Sequence, residues 1–309
     1  MSMRYPAGFI SAFYNPLKNP DAPTIGTATT SSTTTLSIAF TAPSNVGGSA
    51  ITSYIATAKR TSDGVLFTAS GASSPITITG LTAVPFTVTV IAVNSYGPSA
   101  SSAASNSVTP ALPAIGAAFG GGFFAGQIST AGNGIADYNL VAAPAASGQS
   151  TKKWKNANTA TAGATSVIDG PQNTADMVAD GNSTVYPAAH FCNDLSTGGQ
   201  TDWYMPSRYE LEICYFNLKP GTANNSTSFG ANPYAVPARA SDYTVGNPAQ
   251  TSAATFQTGG AEAFSAADSW TSTEFSDTRG LRKDFNNGAE SNDDKDGNFQ
   301  VRAIRRVAV

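Results

Sequence analysis

Gly199-Gln200-Thr201-Asp202-Trp203-Tyr204-Met205-Pro206-Ser207-Arg208-Tyr209-Glu210-Leu211 carries the sharpest structural signal in the chain. Serine at 207 with glutamate three residues on is a helix-start pattern, because each side chain satisfies a backbone N–H that the first turn leaves open. Leu211, Cys214, Tyr215 and Leu218 follow at i, i+3, i+4 and i+7, one apolar face of a helix. Lys219-Pro220-Gly221 ends it. Upstream, a helical region is expected within Ala175–Thr197, with Pro187 in a first turn and Gly198-Gly199 as the stop. Short strands are expected at Gly122–Ile128 and Asn139–Pro144. Beyond residue 265 strands return at Trp270–Glu274, Leu281–Phe285 and Gln300–Ile304. Residues 119–309 therefore read as an α+β domain.

Residues 21–110 read differently. Thr35-Leu36-Ser37-Ile38-Ala39-Phe40 alternates polar and apolar at period two, as a strand with one buried face does. Ile51–Thr57, Ile76–Thr79 and Phe86–Val93 behave alike. Turn-forming clusters separate them at 43–49, 62–64 and 94–97. Short strands with frequent turns over about 90 residues predict a β-sandwich. Residues 111–118 are read as a linker. Residues 1–20 form a leader whose Tyr5, Phe9, Phe13 and Tyr14 are costly to leave in water, which favours an anchor that docks on another protein.

Composition separates the halves further. Only 12% of the 309 residues are charged, against roughly 25% in an average domain. Residues 1–150 hold four basic and three acidic groups, leaving 13 of the 17 basic and 17 of the 20 acidic groups to the rest. All three tryptophans, Trp154, Trp203 and Trp270, lie in that second half. A net charge of −3 with no basic face argues against nucleic acid. His190, Cys192 and Cys214 are too few for a Cys/His zinc site or a disulfide scaffold. The N-terminus lacks the apolar core of a secretory signal. Ala111–Ile128 is uncharged over 18 residues, but Pro113 and five glycines make a membrane span a poor reading.

Two stretches resemble known families. Phe40-Thr41-Ala42-Pro43-Ser44, Gly47–Tyr54, Ile78-Thr79-Gly80-Leu81-Thr82, Phe86–Gly97 and Ser107-Val108-Thr109-Pro110 resemble a fibronectin type III domain. Phe40 stands where a tryptophan is frequent and Phe86 where a corner tyrosine is usual. Gly199–Leu211, Trp270-Thr271-Ser272-Thr273-Glu274, Lys283–Gly288 and Val301–Arg306 resemble the Lcl-type C-terminal domain, a branch of the C-type-lectin-like fold. A fibronectin module followed by this module, behind a Tyr-Pro-Ala-Gly leader, resembles virion fibre or tail-associated proteins of tailed bacteriophages, cyanophages in particular. The resemblance implies a structural protein assembled into virions in the host cytoplasm. It implies an N-terminal leader docked on other virion proteins and a lectin-like module facing a host surface glycan or protein. A homotrimer is expected, since fibres are symmetric oligomers. Decoration of the virion is the alternative role, and a surface-glycan depolymerase a third.

The residues support no catalytic reading. His190 is the sole imidazole and no Gly-x-Ser-x-Gly elbow is present. Glu210 and Glu212, two apart on one helix, point away from each other; Glu274 and Asp277 remain as carboxylates. No cysteine follows Cys214, against the formylglycine-generating branch of the fold. Cys192 and Cys214 could face one another, with buried free thiols preferred for a cytoplasmic assembly. Asn292-Asp293-Asp294-Lys295-Asp296-Gly297 matches the start of a calcium loop, but the twelfth position is Ala303 rather than glutamate, so an acidic hairpin tip is preferred. Glu-Pro-Asn and Gln-Pro-Asp triplets are absent, so calcium-mediated sugar binding is not expected, nor any cofactor. What remains is binding. Glu274, Asp277, Arg279, Arg282, Asn286, Asn287, Asn292 and Asp294, in loops 274–300 near Trp270, suit a carbohydrate or a polar protein surface, unless Trp270 is core.

Overall fold

The computed structural model describes residues 17–30, 32–82 and 84–309, so Tyr5, Phe9, Phe13 and Tyr14 lie outside the described residues. The chain divides into two compact units, Met1–Leu112 and Pro113–Val309.

The first unit is a two-sheet β-sandwich. Its strands are β1 (Thr24–Thr30), β2 (Leu36–Thr41), β3 (Ser53–Arg60), β4 (Leu66–Gly71), β5 (Ile76–Ile78), β6 (Phe86–Asn94) and β7 (Gly97–Pro98). They form sheets ordered β1-β2-β5 and β4-β3-β6-β7, a fibronectin type III-like arrangement. β6 alternates buried and half-buried residues along its whole length. Leu36, Ile38, Phe86, Val88, Val90 and Ala92 fill the space between the sheets. Phe40 takes the expected core position against Tyr54, ring centroids 4.7 Å apart. Phe86 packs edge-on to Phe67 without needing a corner hydroxyl.

Past β7 the chain runs alongside β6 with a serine every third residue. The N–H groups of Ala92, Val90 and Val88 donate to the hydroxyls of Ser99, Ser102 and Ser105 at 2.9–3.0 Å. The N–H groups of those serines return bonds to the carbonyls of Ala92, Val90 and Val88. At the other end the last leader residues belong to the sandwich: Lys18 N–H donates to Gly47 O, and Asn94 Nδ2 to Lys18 O at 3.0 Å. Gly47 has φ +74, and a Cβ there would strike the Lys18 carbonyl, so glycine is required.

The second unit is mixed α and β. Its strands are β8 (Ala118–Phe119), β9 (Gly122–Ile128), β10 (Tyr138–Ala142), β11 (Gln149–Lys153), β12 (Ala235–Val236), β13 (Asp268–Ser276), β14 (Arg279–Asp284), β15 (Glu290–Asp294), β16 (Asn298–Arg302) and β17 (Ile304–Ala308). Its helices are α1 (Ala145–Gly148), α2 (Gly170–Asp180), α3 (Pro187–Asn193) and α4 (Arg208–Leu218). One sheet runs β12-β9-β10-β17 and the other β11-β16-β13-β14-β15. β10 and β17 pair antiparallel from Tyr138↔Ala308 to Ala142↔Ile304, so almost the whole unit hangs as a loop between two adjacent strands. The stretch read as a linker, 111–118, is divided between the units: Ala111 bonds Thr30 in the sandwich, while Ile115 packs on the second unit's core and Gly116 N–H donates to Phe124 O. The uncharged run Ala111–Ile128 is loop and strand, and no helix among the described residues is long and apolar enough to cross a membrane.

α4 starts at the expected capping box. Leu211, Cys214, Tyr215 and Leu218 are all buried, in a core with Phe256, Phe264 and Phe285. The expected helical region from 175 to 197 is instead two helices. α2 starts earlier, with Asp169 capping Gln172 N–H and proline in the first turn. Gly181 breaks it, and Pro187 opens α3. α3 ends at Asn193, before the glycine pair; Gly198 and Gly199 serve a tight turn bridged by Thr197 and Gln200. A separate core holds Trp154, Trp203 and Trp270 with Met177, Tyr186 and Cys192.

Candidate functional site

Trp270 is not a surface group. It lies on β13, the central strand of its sheet, and is fully buried. Its indole N–H donates to Lys152 O at 3.1 Å and its ring meets Phe299 edge-on at 4.8 Å. Ser269 to Thr273 are buried one after another, so both faces of this stretch are covered and the aromatic goes inward. Glu274 is likewise tied inward, accepting from Thr161 N–H at 3.0 Å and pairing with the Lys295 ammonium. Arg282 pairs with Asp268 and with Asp293 (3.4 Å) and lies over the Phe299 ring.

The other expected residues fall at opposite ends of the β14–β15 hairpin. Arg279 sits opposite Asp294 and donates to Asn292 Oδ1 at 2.9 Å, beside the exposed Asp277 in the β13–β14 turn. Asn286 and Asn287 form the turn at the far end. There Asn286 N–H donates to Asp284 Oδ1, and Asn287 O accepts from Ser226 N–H. The nine residues therefore do not make one patch.

Between those ends lies a groove of about 290 Å³ lined by Arg208, Phe229, Phe275, Leu281, Glu290, Ser291 and Asn292. Phe275 is 56% exposed, unusual for a phenylalanine. Arg208 Nε donates to Glu290 Oε2 at 2.7 Å, and Glu290 Oε1 accepts from the buried Lys283 at 3.3 Å. Burial opposes the charge on Arg208, but Glu290, with smaller contributions from Tyr209 and Glu212, raises the guanidinium above its ordinary value. Arg208 comes from the first turn of α4, so the capping box also sets one wall of the groove. Of the expected residues only Asn292 lines it. Period-two alternation was the available signal for Phe275, since it follows the inward Glu274 and so faces the other way.

A larger cavity, about 400 Å³, brings Ser183, His190 and Asp194 together with Lys152 and Phe191. It is no acyl-transfer site as arranged. His190 Nε2 lies 2.8 Å from the Gly181 carbonyl, so it carries a proton and donates. Nδ1 faces Asp194 at 3.4 Å. Neither nitrogen is hydrogen-bonded to Ser183, as the base of a serine nucleophile would be. Glu210 and Glu212 do diverge: Glu210 bonds Tyr204 and Arg306, Glu212 bonds Tyr243 and Arg239. Cys192 and Cys214 are buried free thiols in separate cores, and burial raises both well above the ordinary thiol range. Among the described residues no three His, Cys, Asp or Glu side chains converge to hold a metal.

No family profile and no curated protein matches the chain. Solved structures match over its first third. Domains A168–A170 of titin are 25% identical, with a TM-score of 0.29, and the match covers 30% of this chain and 32% of that one. The FN5 domain of Drosophila Lar is 21% identical, with a TM-score of 0.25, covering 30% of this chain and 99% of that one. A human fibronectin type III domain from fibronectin type III domain containing protein 3 is 25% identical, with a TM-score of 0.27, covering 31% and 90%. The chain spans only 17% of the titin kinase structure that it also matches. The chain is thus a two-unit protein, a fibronectin type III-like sandwich followed by a mixed α/β unit that carries the groove.

Proposed function

We propose that this chain is a non-enzymatic virion protein of a tailed bacteriophage, a tail fibre or tail-associated adhesin. In this reading a fibronectin type III spacer presents a C-type-lectin-like, Lcl-type module to the host surface. The leader docks on other virion proteins and the chain assembles as a homotrimer. Support for the lectin-like assignment comes from the pairing of β10 with β17, which makes the rest of the unit one long loop between adjacent strands. It also comes from the placement of the Gly199–Leu211 motif, whose Trp203, Tyr204 and Glu210 are all buried structural groups.

The groove carries the functional reading. An exposed aromatic face beside planar polar groups suits a sugar ring: the face covers the ring's C–H surface while Arg208, Ser291 and Asn292 meet its hydroxyls. A volume of about 290 Å³ holds one ring, not a folded domain. The test is binding of the full chain to envelope glycans extracted from a cyanobacterium, compared with Phe275→Ser. Binding by the wild type and its loss in the variant, with both equally stable, is the expected result. No binding, with the protein still incorporated into virions, would favour a decoration role. Release of reducing sugar would favour a depolymerase.

A further inference from the structure

The run Asn292-Asp293-Asp294-Lys295-Asp296-Gly297 has the spacing of a calcium loop, and the fold puts it to another use. Asn292 and Asp294 are taken by Arg279, Asp293 by Arg282, and Asp296 by Asn158. Calcium takes six to eight oxygens around one point. Here the side-chain oxygens are divided among three partners, Arg279, Arg282 and Asn158, so the donor set does not converge on one ion.

What does sit in an oxygen cage is the Lys295 ammonium. It is fully buried and donates to Thr159 O at 2.8 Å, to Asp277 O at 2.8 Å and to the Glu274 carboxylate. Three N–H donors meet three oxygens, and the Trp154 ring covers the group at 4.8 Å. The device recurs. Lys219 donates to Ala223 O, Asn225 Oδ1 and Pro248 O, and Lys155 to Ala160 O at 2.6 Å beside Thr159 and Thr161. Each ammonium gathers oxygens from irregular loops, where no regular backbone ladder pairs them.

We propose that Lys295 is a resident cation that does the work of a bound divalent ion, and that the groove beside it therefore needs no metal. The geometry ties three segments together: the loop at Thr159, the end of β13 with its turn, and the end of β15. Glu274 immediately precedes Phe275, and Lys295 follows the strand that carries Asn292. One ammonium thus positions two walls of the groove. The statement about ligand binding rests on the adhesin reading; the statement about the cation does not.

Thermal unfolding of the full chain is measured in calcium and in EDTA, and the second unit's midpoint is expected to be the same in both. That arm needs no variant. Lys295→Met removes the charge and leaves Glu274 buried without a counter-ion, with an expected fall of roughly 6–20 °C. The double variant Lys295→Met with Glu274→Gln is expected to recover part of it, which a merely space-filling lysine would not produce. A midpoint lowered by EDTA, an unchanged midpoint in Lys295→Met, or a double variant no better than the single one would each overturn the proposal. In the glycan assay, wild-type binding is expected to survive EDTA and to weaken in Lys295→Met. Binding abolished by EDTA would overturn the metal-free groove. No wild-type binding at all, with the thermal arms as expected, would instead sink the adhesin reading and leave the resident cation standing.

Discussion

Glu210→Gln is the substitution that most severely tests the account of the second unit. The Glu210 carboxylate is fully buried and accepts five hydrogen bonds. Oε1 takes Tyr204 OH at 2.6 Å and Arg306 Nε at 2.8 Å. Oε2 takes Ser207 N–H at 2.9 Å, Ser207 Oγ at 2.8 Å and Gly170 N–H at 3.1 Å. An amide of the same shape keeps one oxygen and places an NH₂ on the other side. Either Tyr204 and Arg306, or Ser207 and Gly170, then face a donor. Arg306 keeps Ile168 O and Asp169, which softens the loss. Breaking a buried pair costs about 3–5 kcal/mol. For a unit of this size each kcal/mol moves the midpoint by about 2–4 °C, so a fall of roughly 6–20 °C is expected. Scanning calorimetry of the full chain resolves it, because only the transition of Pro113–Val309 should move. A fall equivalent to less than about 1 kcal/mol, or an equal fall in the sandwich transition, would refute the view that this carboxylate anchors α4 to β17.

Trp270→Ala should destabilise the same unit by about 3–5 kcal/mol in denaturant unfolding, as befits a core ring; a near-neutral result would return Trp270 to the surface. Arg305 donates two hydrogen bonds to Asp202, at 2.7 and 2.8 Å, and holds that carboxyl below its ordinary 3.8. A depressed carboxylate lends stability that is full above the unfolded value and is lost as pH falls through the folded one. Asp202→Asn should therefore flatten the acid-unfolding curve below about pH 4 and cost at most about 1 kcal/mol at neutral pH, since the pair is half exposed. Thiol titration should find Cys192 and Cys214 unreactive in the native chain and both free on unfolding; one or none in the denatured chain would mean a disulfide. Ser102→Ala should lower the sandwich transition alone, by about 1 kcal/mol, through the Val90 N–H it leaves open.

Periodicity was most legible where a strand or helix has one wet face. β6, which alternates buried and half-buried residues, stood out for that reason; α4 has no exposed residue, and it was Ser207 with Glu210 that marked its start to the residue. Edge strands were not legible. β1 buries only Ala28 among seven residues, and β15 is Glu-Ser-Asn-Asp-Asp without one apolar side chain. Both exist because a neighbour supplies their backbone partners, which composition does not record. The site was half legible. Three strands from Trp270 onward were found, β15 between them was not, and local sequence does not tell a central strand from an outer one, which decided the burial of Trp270. Lys295 misled for a related reason: a lysine in an acidic run reads as solvated until its three oxygens arrive from distant loops.

The serines at 99, 102 and 105 have a consequence for crowding. An open sheet edge invites a second copy to add its own strand, and most proteins repel it with lysine or glutamate. A chain with so few charges in its first half has little such repulsion to offer. By occupying the amides of Val88, Val90 and Ala92 from within, the serine ladder removes the docking points themselves. On this flank those three amides are not open to a neighbouring copy's strand, and because the bonds are between neutral groups this protection does not depend on salt.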